Sequence, residues 1–134
     1  MIRRLAATVA AAFALVAGVA GTSHAAEALD GNCESGEFCV YRYEYYAGGT
    51  TDFAASRLSY KGLIFGGTLT TTDNHASSSK NRSTAEVTLY AYANYGGPFV
   101  VHSGVYAPCT SDLCAAYTQI PQFDNVASSH EFTW

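Results

Sequence analysis

From residue 38 onward, short apolar stretches alternate with polar clusters in a pattern typical of β-strands. Segments such as Phe38–Tyr41 and Val87–Tyr90 combine aromatic and β-branched residues, which pack well on a pleated sheet. Clusters of Gly, Asn, Asp and Ser separate these segments, as turns do. A sustained helical period is absent after the N-terminal region, and only Cys114–Tyr117 is compatible with one short helical turn. The pattern therefore predicts an all-β protein.

The N-terminal region has a different pattern. A basic start precedes an uncharged run, Leu5–Ala20, and small residues follow that run. This order is typical of a secretory signal peptide, and an apolar run of about 16 residues is short for a membrane span of roughly 20. We expect residues 1–25 to be a signal peptide, cleaved after Ala25 or Ala26, and residues 26–134 to form a secreted, extracellular domain. A retained membrane anchor is the alternative.

The charge balance narrows the range of partners. The chain of 134 residues carries a formal net charge of −4. Without Arg3 and Arg4, five basic residues remain against eleven acidic ones, a net charge of −6. An acidic domain is a poor partner for nucleic acid or anionic lipid. We therefore expect a soluble monomer that binds neither nucleic acid nor a membrane.

All four cysteines follow the predicted signal peptide, at positions 33, 39, 109 and 114. An even number of cysteines in an exported chain favours disulfides. The spacing favours two local pairs, Cys33–Cys39 and Cys109–Cys114. A zinc site is the weaker alternative, since no closely spaced pair of histidines accompanies the cysteines.

Two parts of the chain repeat each other. Each copy has an aromatic residue, a second aromatic five positions later and a glycine two positions after that. The hexapeptide Asp-Asn-x-Ala-Ser-Ser begins 32 residues after the first aromatic in one copy and 34 in the other. We expect the glycine to supply a positive φ at a bent hairpin, the second aromatic to cover it, and a serine hydroxyl to bond back to it. The corresponding residues are Tyr41 and Tyr90, Tyr46 and Tyr95, Gly48 and Gly97, and Ser78 and Ser129.

These repeats resemble the Greek-key motif of the βγ-crystallin-like superfamily. Within that superfamily the chain resembles peptidase inhibitor family I36, through Asn-Tyr-Gly-Gly and the two hexapeptides. The resemblance implies a two-Greek-key β-sandwich of about eight strands, with Greek keys at about 33–82 and 83–134. We expect the segment Leu58–Thr72 to form the crossing strands of the first Greek key. The resemblance also implies an extracellular inhibitor of thermolysin-type metalloproteases, with a protease as partner and no enzymatic activity of its own.

The same resemblance points to an inhibitory loop. Members of the family carry their reactive bond beside a disulfide cysteine, which here implies the bond Cys109–Thr110. A disulfide-closed loop is rigid and loses little entropy on binding. Thermolysin-like enzymes favour a large apolar residue after that bond, so Leu113 is an alternative anchor, and a merely stabilising insertion is the alternative role. The loop comprises Cys109, Thr110, Ser111, Asp112, Leu113 and Cys114.

The superfamily resemblance further implies calcium binding. Both hexapeptides match the calcium signature of the superfamily, and calcium prefers roughly six to eight oxygen ligands. The same residue types also form polar turns, so a structural corner is the alternative. No cofactor is required, and Ca²⁺ is the candidate ion. The implied ligands are the side chains of Asp73, Ser77, Asp124 and Ser128 and the carbonyl groups of His75 and Val126.

Other polar residues give no catalytic motif. His75, His102 and His130 accompany no nucleophile motif, and no Gly-x-Ser-x-Gly sequence occurs. We expect His75 and His102 at the surface and solvated carboxylates at Glu34 and Glu37. Besides an inhibitor, the sequence is compatible with a calcium-binding module without inhibitory activity and with a small secreted toxin.

Overall fold

The fold consists almost entirely of β-structure, as the sequence predicts. The computed structural model describes residues 28–105, 116–121 and 124–134, and these contain seven strands and one 3-10 turn at Glu44–Tyr46. The strands form two antiparallel sheets with orders β2-β1-β3-β6 and β5-β4-β7, here called the first and second sheet. The strands are β1 (Phe38–Tyr41), β2 (Thr50–Phe53), β3 (Ser78–Asn81), β4 (Glu86–Tyr92), β5 (Gly96–His102), β6 (Ala116–Tyr117) and β7 (Ser129–Thr133).

The two halves of the chain exchange one segment each. The first sheet takes β1, β2 and β3 from the first half and β6 from the second half. In return, Arg57 of the first half forms a bridge with His130 on β7 of the second sheet. This reciprocal exchange is the arrangement of two Greek keys packed as a sandwich, so the predicted fold class is confirmed.

Two local predictions about strands and helices were wrong. The segment Leu58–Thr72, which the Greek-key pattern assigns to crossing strands, contains turns and the single bridge Ile64↔Thr71. Residues Ala116–Tyr117, which we expected in a helical turn, form β6 instead. At Ala116–Tyr117 the pairing with β3, rather than the local pattern, decides the backbone conformation.

The core lies between the two sheets. Along β4 the side chains of Val87, Leu89 and Ala91 are buried, while Glu86 and Tyr92 are exposed, as the two-residue period of a strand requires. Burial of each large apolar side chain contributes about 1.5–3 kcal/mol. The remaining core residues include Phe38, Val40, Phe53, Tyr60, Phe65, Ile120 and Phe132.

A serine hydroxyl closes the bent hairpin in the first half. The backbone N–H of Tyr46 donates to Ser78 Oγ at 3.0 Å, and that hydroxyl donates to the carbonyl of Tyr43 at 2.6 Å. The rings of Tyr41 and Tyr46 pack edge to face, with centroids 5.3 Å apart. One hydroxyl therefore satisfies a donor and an acceptor of the bend.

The second half repeats this arrangement. The N–H of Tyr95 donates to Ser129 Oγ at 3.1 Å, and Ser129 Oγ donates to the carbonyl of Tyr92 at 2.5 Å. The rings of Tyr90 and Tyr95 lie 5.5 Å apart. The predicted back-bonding of the last serine in each hexapeptide is confirmed.

The glycine of each bend has the expected positive φ, +84° at Gly48 and +77° at Gly97. A Cβ on Gly48 would lie 2.2 Å from the ring of Tyr43, and one on Gly97 would lie 2.4 Å from the ring of Tyr92. The rings that cover these glycines are thus those of Tyr43 and Tyr92. The second matched aromatics, Tyr46 and Tyr95, do not have this role. Glycine is required here both by backbone conformation and by close contact.

The N-terminal segment packs against the first sheet. The predicted disulfide Cys33–Cys39 is formed, with its Cα atoms 6.0 Å apart. The N–H of Leu29 donates to the carbonyl of Asp52 at 3.0 Å, and the N–H of Gly31 donates to Asp52 Oδ1 at 2.8 Å. Residues 1–25, Cys109 and Cys114 lie outside the described residues. Within the described ranges, none of the helices has the length and apolar character needed to cross a membrane.

We predict that Ser78→Ala and Ser129→Ala each destabilise the protein by about 1–3 kcal/mol, because each removes a buried hydroxyl that accepts one hydrogen bond from the bend and donates another to it. The exposed Ser103 provides a matched control, and Ser103→Ala is expected to change stability by less than about 0.5 kcal/mol. Urea unfolding followed by fluorescence measures all three. Equal stability of the control and the two variants would contradict the role of the serine caps.

Candidate functional site at the paired hexapeptides

The two hexapeptides, Asp73–Ser78 and Asp124–Ser129, lie against each other. The N–H of Asn74 donates to the carbonyl of Ala127 at 3.1 Å, and the N–H of Asn125 donates to the carbonyl of Ala76 at 3.0 Å. Both asparagines have left-handed backbone conformations, with φ of +58° and +60°. Asparagine tolerates this region better than most residues, which explains why the second position of each hexapeptide is Asn.

Side chains also cross between the hexapeptides. Ser77 Oγ donates to Asn125 Oδ1 at 3.1 Å, and Ser128 Oγ donates to Asn74 Oδ1 at 2.9 Å. Each pair therefore places a hydroxyl oxygen and an amide oxygen from different halves within hydrogen-bond distance. These contacts form two equivalent clusters of oxygen atoms, one at Ser77 and Asn125 and the other at Ser128 and Asn74.

The predicted calcium ligands are distributed over both clusters. Each cluster combines residues from the two hexapeptides. Ser77 and Ser128 each contact an asparagine of the other repeat, and Ser128 Oγ also donates to the Val126 carbonyl at 3.3 Å. Asp124 is exposed, whereas Asp73 Oδ1 is buried without a hydrogen-bond partner.

The remaining predicted ligand residue, His75, is exposed as expected, and its Nδ1 donates to the Asp73 carbonyl at 2.7 Å. In the described part of the chain, no three His, Cys, Asp or Glu side chains are arranged so that they could hold a metal ion. A cation at the hexapeptides would therefore depend on hydroxyl, amide and carbonyl oxygens beside one carboxylate. Those are the hard oxygen donors that calcium accepts.

Behind the hexapeptides, His130 is buried between the sheets. Its Nε2 lies 2.8 Å from the carbonyl of Ala55, and its Nδ1 lies 2.8 Å from the hydroxyl of Tyr60. Because a carbonyl only accepts, Nε2 carries the proton and Nδ1 accepts from Tyr60. Burial lowers the pKa of His130 to about 3, although the Ala55 carbonyl opposes this shift. The imidazole is therefore neutral at ordinary pH.

The prediction that His102 lies at the surface was wrong. His102 is 1% exposed, and its Nε2 lies 2.7 Å from Ser79 Oγ. Desolvation lowers the pKa of His102 to about 3, with the Val87 backbone in partial opposition. The two-residue period of β5 is the sequence signal for this burial. His102 lies two positions after Val100, which packs against the core, so both side chains point to the same face of the sheet.

The prediction of a solvated carboxylate holds for Glu34 but was wrong for Glu37. Glu37 is fully buried, and its Oε2 accepts the N–H of Glu34 at 2.7 Å. Desolvation raises the pKa of Glu37, the Glu34 N–H lowers it, and the carboxylates of Asp52, Glu34 and Asp30 raise it further. The contact with Glu34 is local in sequence, whereas the approach of Asp52 on β2 depends on the fold.

The predicted inhibitory loop, Cys109 to Cys114, lies outside the described residues. The chain on both sides of it is anchored. Before it, the N–H of Val105 donates to the carbonyl of Ser83 at 2.8 Å. After it, Ala116 and Tyr117 pair with β3.

Solved structures place this arrangement among the βγ-crystallins. A domain from work on the evolution of the eye-lens βγ-crystallin fold is 14% identical, with a TM-score of 0.57, covering 77% of this chain and 90% of that one. A Ciona intestinalis βγ-crystallin is 12% identical, with a TM-score of 0.54, covering 73% and 100%. An archaeal βγ-crystallin is 19% identical, with a TM-score of 0.52, covering 74% and 99%. At these identities the likeness shows the fold alone.

The family follows from the sequence match. The model of peptidase inhibitor family I36 matches residues 26–101, more than half of the chain. The chain belongs to this family. The match ends before the predicted inhibitory loop and the second hexapeptide. None of the curated proteins matches the chain.

We predict that acid destabilises the protein because of the two buried histidines. With folded pKa values of about 3 against an ordinary 6.5, the unfolded state binds more protons between these values, so stability falls as pH falls from 6.5 towards 3. At pH 4 the loss is on the order of 3 kcal/mol per histidine. Glu37 acts in the opposite direction, because its raised pKa favours the folded state at acid pH.

Thermal unfolding between pH 7 and pH 4 measures this effect. His102→Gln and His130→Gln are each expected to flatten the pH dependence by about one proton, whatever their stability at pH 7. The exposed His75 gives the control variant His75→Gln, which should keep the original slope. The same slope in all variants would show that other groups control the acid response.

Proposed function

We propose that this protein is a secreted inhibitor of extracellular metalloproteases that blocks the protease cleft with the loop from Cys109 to Cys114. Membership of a peptidase inhibitor family carries this proposal. The disulfide Cys33–Cys39 is consistent with an extracellular location. The inhibitor acts by occupying the cleft and has no chemistry of its own.

The described structure supports the loop as the inhibitory element through its two attachment points. The Ser83 carbonyl holds Val105 on one side, and β3 holds Ala116 and Tyr117 on the other. Fixed ends and the predicted disulfide between Cys109 and Cys114 would restrict the conformations of the free inhibitor. Less conformational entropy is then lost when the loop enters a protease cleft.

We expect equimolar micromolar inhibitor to abolish the activity of thermolysin and to leave a subtilisin active. Thr110→Ala and Leu113→Ala should each weaken inhibition by about tenfold or more, as hot-spot residues do. Leu69 is 96% exposed on the first half of the chain, so Leu69→Ala serves as the control and should inhibit like the unchanged protein. Full activity of thermolysin and of several other metalloproteases would contradict the proposal.

A second candidate function is calcium binding at the paired hexapeptides, either beside inhibition or in its place. The buried, unpartnered Oδ1 of Asp73 favours it, because such an atom lacks compensation for its desolvation. The residues that would hold the ion are Asp73, Asn74 and Ser128 in one cluster, and Asp124, Asn125 and Ser77 in the other. The His75 and Val126 carbonyls are further donors. A bound cation would add its charge to the hydrogen bonds that already join the two halves.

Titration calorimetry and thermal unfolding of chelator-treated protein test calcium binding. Calcium at about 100 times its dissociation constant should stabilise the protein by about 2.7 kcal/mol. Ser77→Ala combined with Ser128→Ala should remove the effect, while Ser103→Ala should keep it. The absence of both a heat of binding and a shift in melting temperature at millimolar calcium would exclude this function. Inhibition that persists in chelator would separate it from the inhibitory loop.

A further inference from the structure

The bent hairpin of each half is held by a backbone contact with the segment that the other half contributes. The N–H of Tyr45 in the first hairpin donates to the carbonyl of Thr118 at 2.9 Å. The N–H of Asn94 in the second hairpin donates to the carbonyl of Leu58 at 2.7 Å. Tyr45 and Asn94 both lie four positions after the first aromatic residue of their repeat. They are therefore equivalent residues with the same backbone role.

The backbone conformation at this position suits asparagine better than tyrosine. The φ angle is +56° at Tyr45 and +58° at Asn94, and asparagine is one of the residues that adopt this left-handed region most readily. The residues that follow, Tyr46 and Tyr95, are also left-handed, but their rings pack within their own repeats. The fold therefore accepts asparagine at the position where the first half has Tyr45.

The ring of Tyr45 has no counterpart in the second half. Its side chain is 68% exposed. The neighbouring ring of Tyr43 differs in this respect, because it covers Gly48 and the second half repeats that contact with Tyr92. An outward-facing aromatic ring on a strained backbone, at a position where the fold accepts asparagine, indicates a role in binding. Tyrosine is also one of the residues that contribute most to protein–protein interfaces.

Tyr45 lies beside the segment that follows the predicted inhibitory loop. Besides the bond to the Thr118 carbonyl, Gln119 Nε2 donates to Glu44 Oε2 at 3.0 Å. Cys114, the last residue of the loop, precedes Thr118 by four residues, so their Cα atoms are at most about 14 Å apart. An interface of standard size covers about 800 Å² on each partner, a disc of roughly 16 Å radius. A protein that bound the loop would therefore also reach the surface at Tyr45.

We propose that Tyr45 is an exosite residue, whose ring contacts the inhibited metalloprotease outside the catalytic cleft and beside the inhibitory loop. This inference rests on the proposed inhibitory function. A tyrosine ring offers a large apolar surface and a hydroxyl at a low cost in conformational entropy. The complementary protease surface is an apolar depression with a hydrogen-bonding group at its edge. Tyr45 thus discriminates between metalloproteases whose clefts accept the same loop.

The variant Tyr45→Asn tests the proposal, because it introduces the residue of the equivalent position and keeps the N–H that bonds to Thr118. Against the metalloprotease that the unchanged protein inhibits most tightly, we expect inhibition to weaken at least about tenfold, mainly through faster dissociation. The melting temperature should be equal or higher, and Tyr45→Phe should keep most of the inhibition. Leu58 is 55% exposed at the position equivalent to Thr118, so Leu58→Ala is the matched control and should inhibit normally.

Hydroxyl-radical footprinting of the complex separates direct contact from an effect on the position of the loop. Tyr45 should be protected from oxidation in the complex, while the exposed Leu58 and Leu69 should react as in the free protein. If the unchanged protein inhibits no metalloprotease, the proposed function fails and this inference fails with it. If it does inhibit, then equal inhibition by Tyr45→Asn, a lower melting temperature of that variant, or an unprotected Tyr45 would each overturn the exosite alone.

Discussion

The structure depends on one buried hydroxyl in each half of the chain. Ser78 and Ser129 each accept an N–H and donate to a carbonyl of a bent hairpin that lies more than thirty residues earlier. Backbone groups that are shielded from water require partners, and each serine hydroxyl supplies one for an N–H and one for a carbonyl of its bend. The last strand of each half is thereby tied to its first hairpin, which closes the Greek key.

The adjacent serine of each hexapeptide acts between the halves. Ser77 and Ser128 donate to Asn125 and Asn74 of the opposite repeat. In each Ser-Ser pair, the second hydroxyl closes its own half and the first joins the two halves. This explains why the same polar hexapeptide occurs twice. The candidate calcium site is built on contacts that already serve the fold, so its residues would be needed even by a member that binds no metal.

Duplication also makes the differences between the halves informative. The first half holds the N-terminal segment against Asp52 of its sheet, and its Glu37 is buried. The second half has Phe99 and Val101 where the first half has Thr50 and Asp52, and it contains the predicted inhibitory loop. Since both halves satisfy the same packing and capping requirements, these asymmetries are not demanded by the fold.

The sequence by itself determined the class of fold, the repeat and the capping serines, because a glycine bend and a hydroxyl at a fixed distance are local signals. It also indicated the disulfide Cys33–Cys39 from its spacing. Only the tertiary structure decided which polar residues are buried: His102 and Glu37 were expected at the surface. It also decided that the side chains of each hexapeptide form hydrogen bonds with the other hexapeptide. Burial and pairing depend on segments distant in sequence, such as the N-terminal cover and the opposite repeat, and no local period records those contacts.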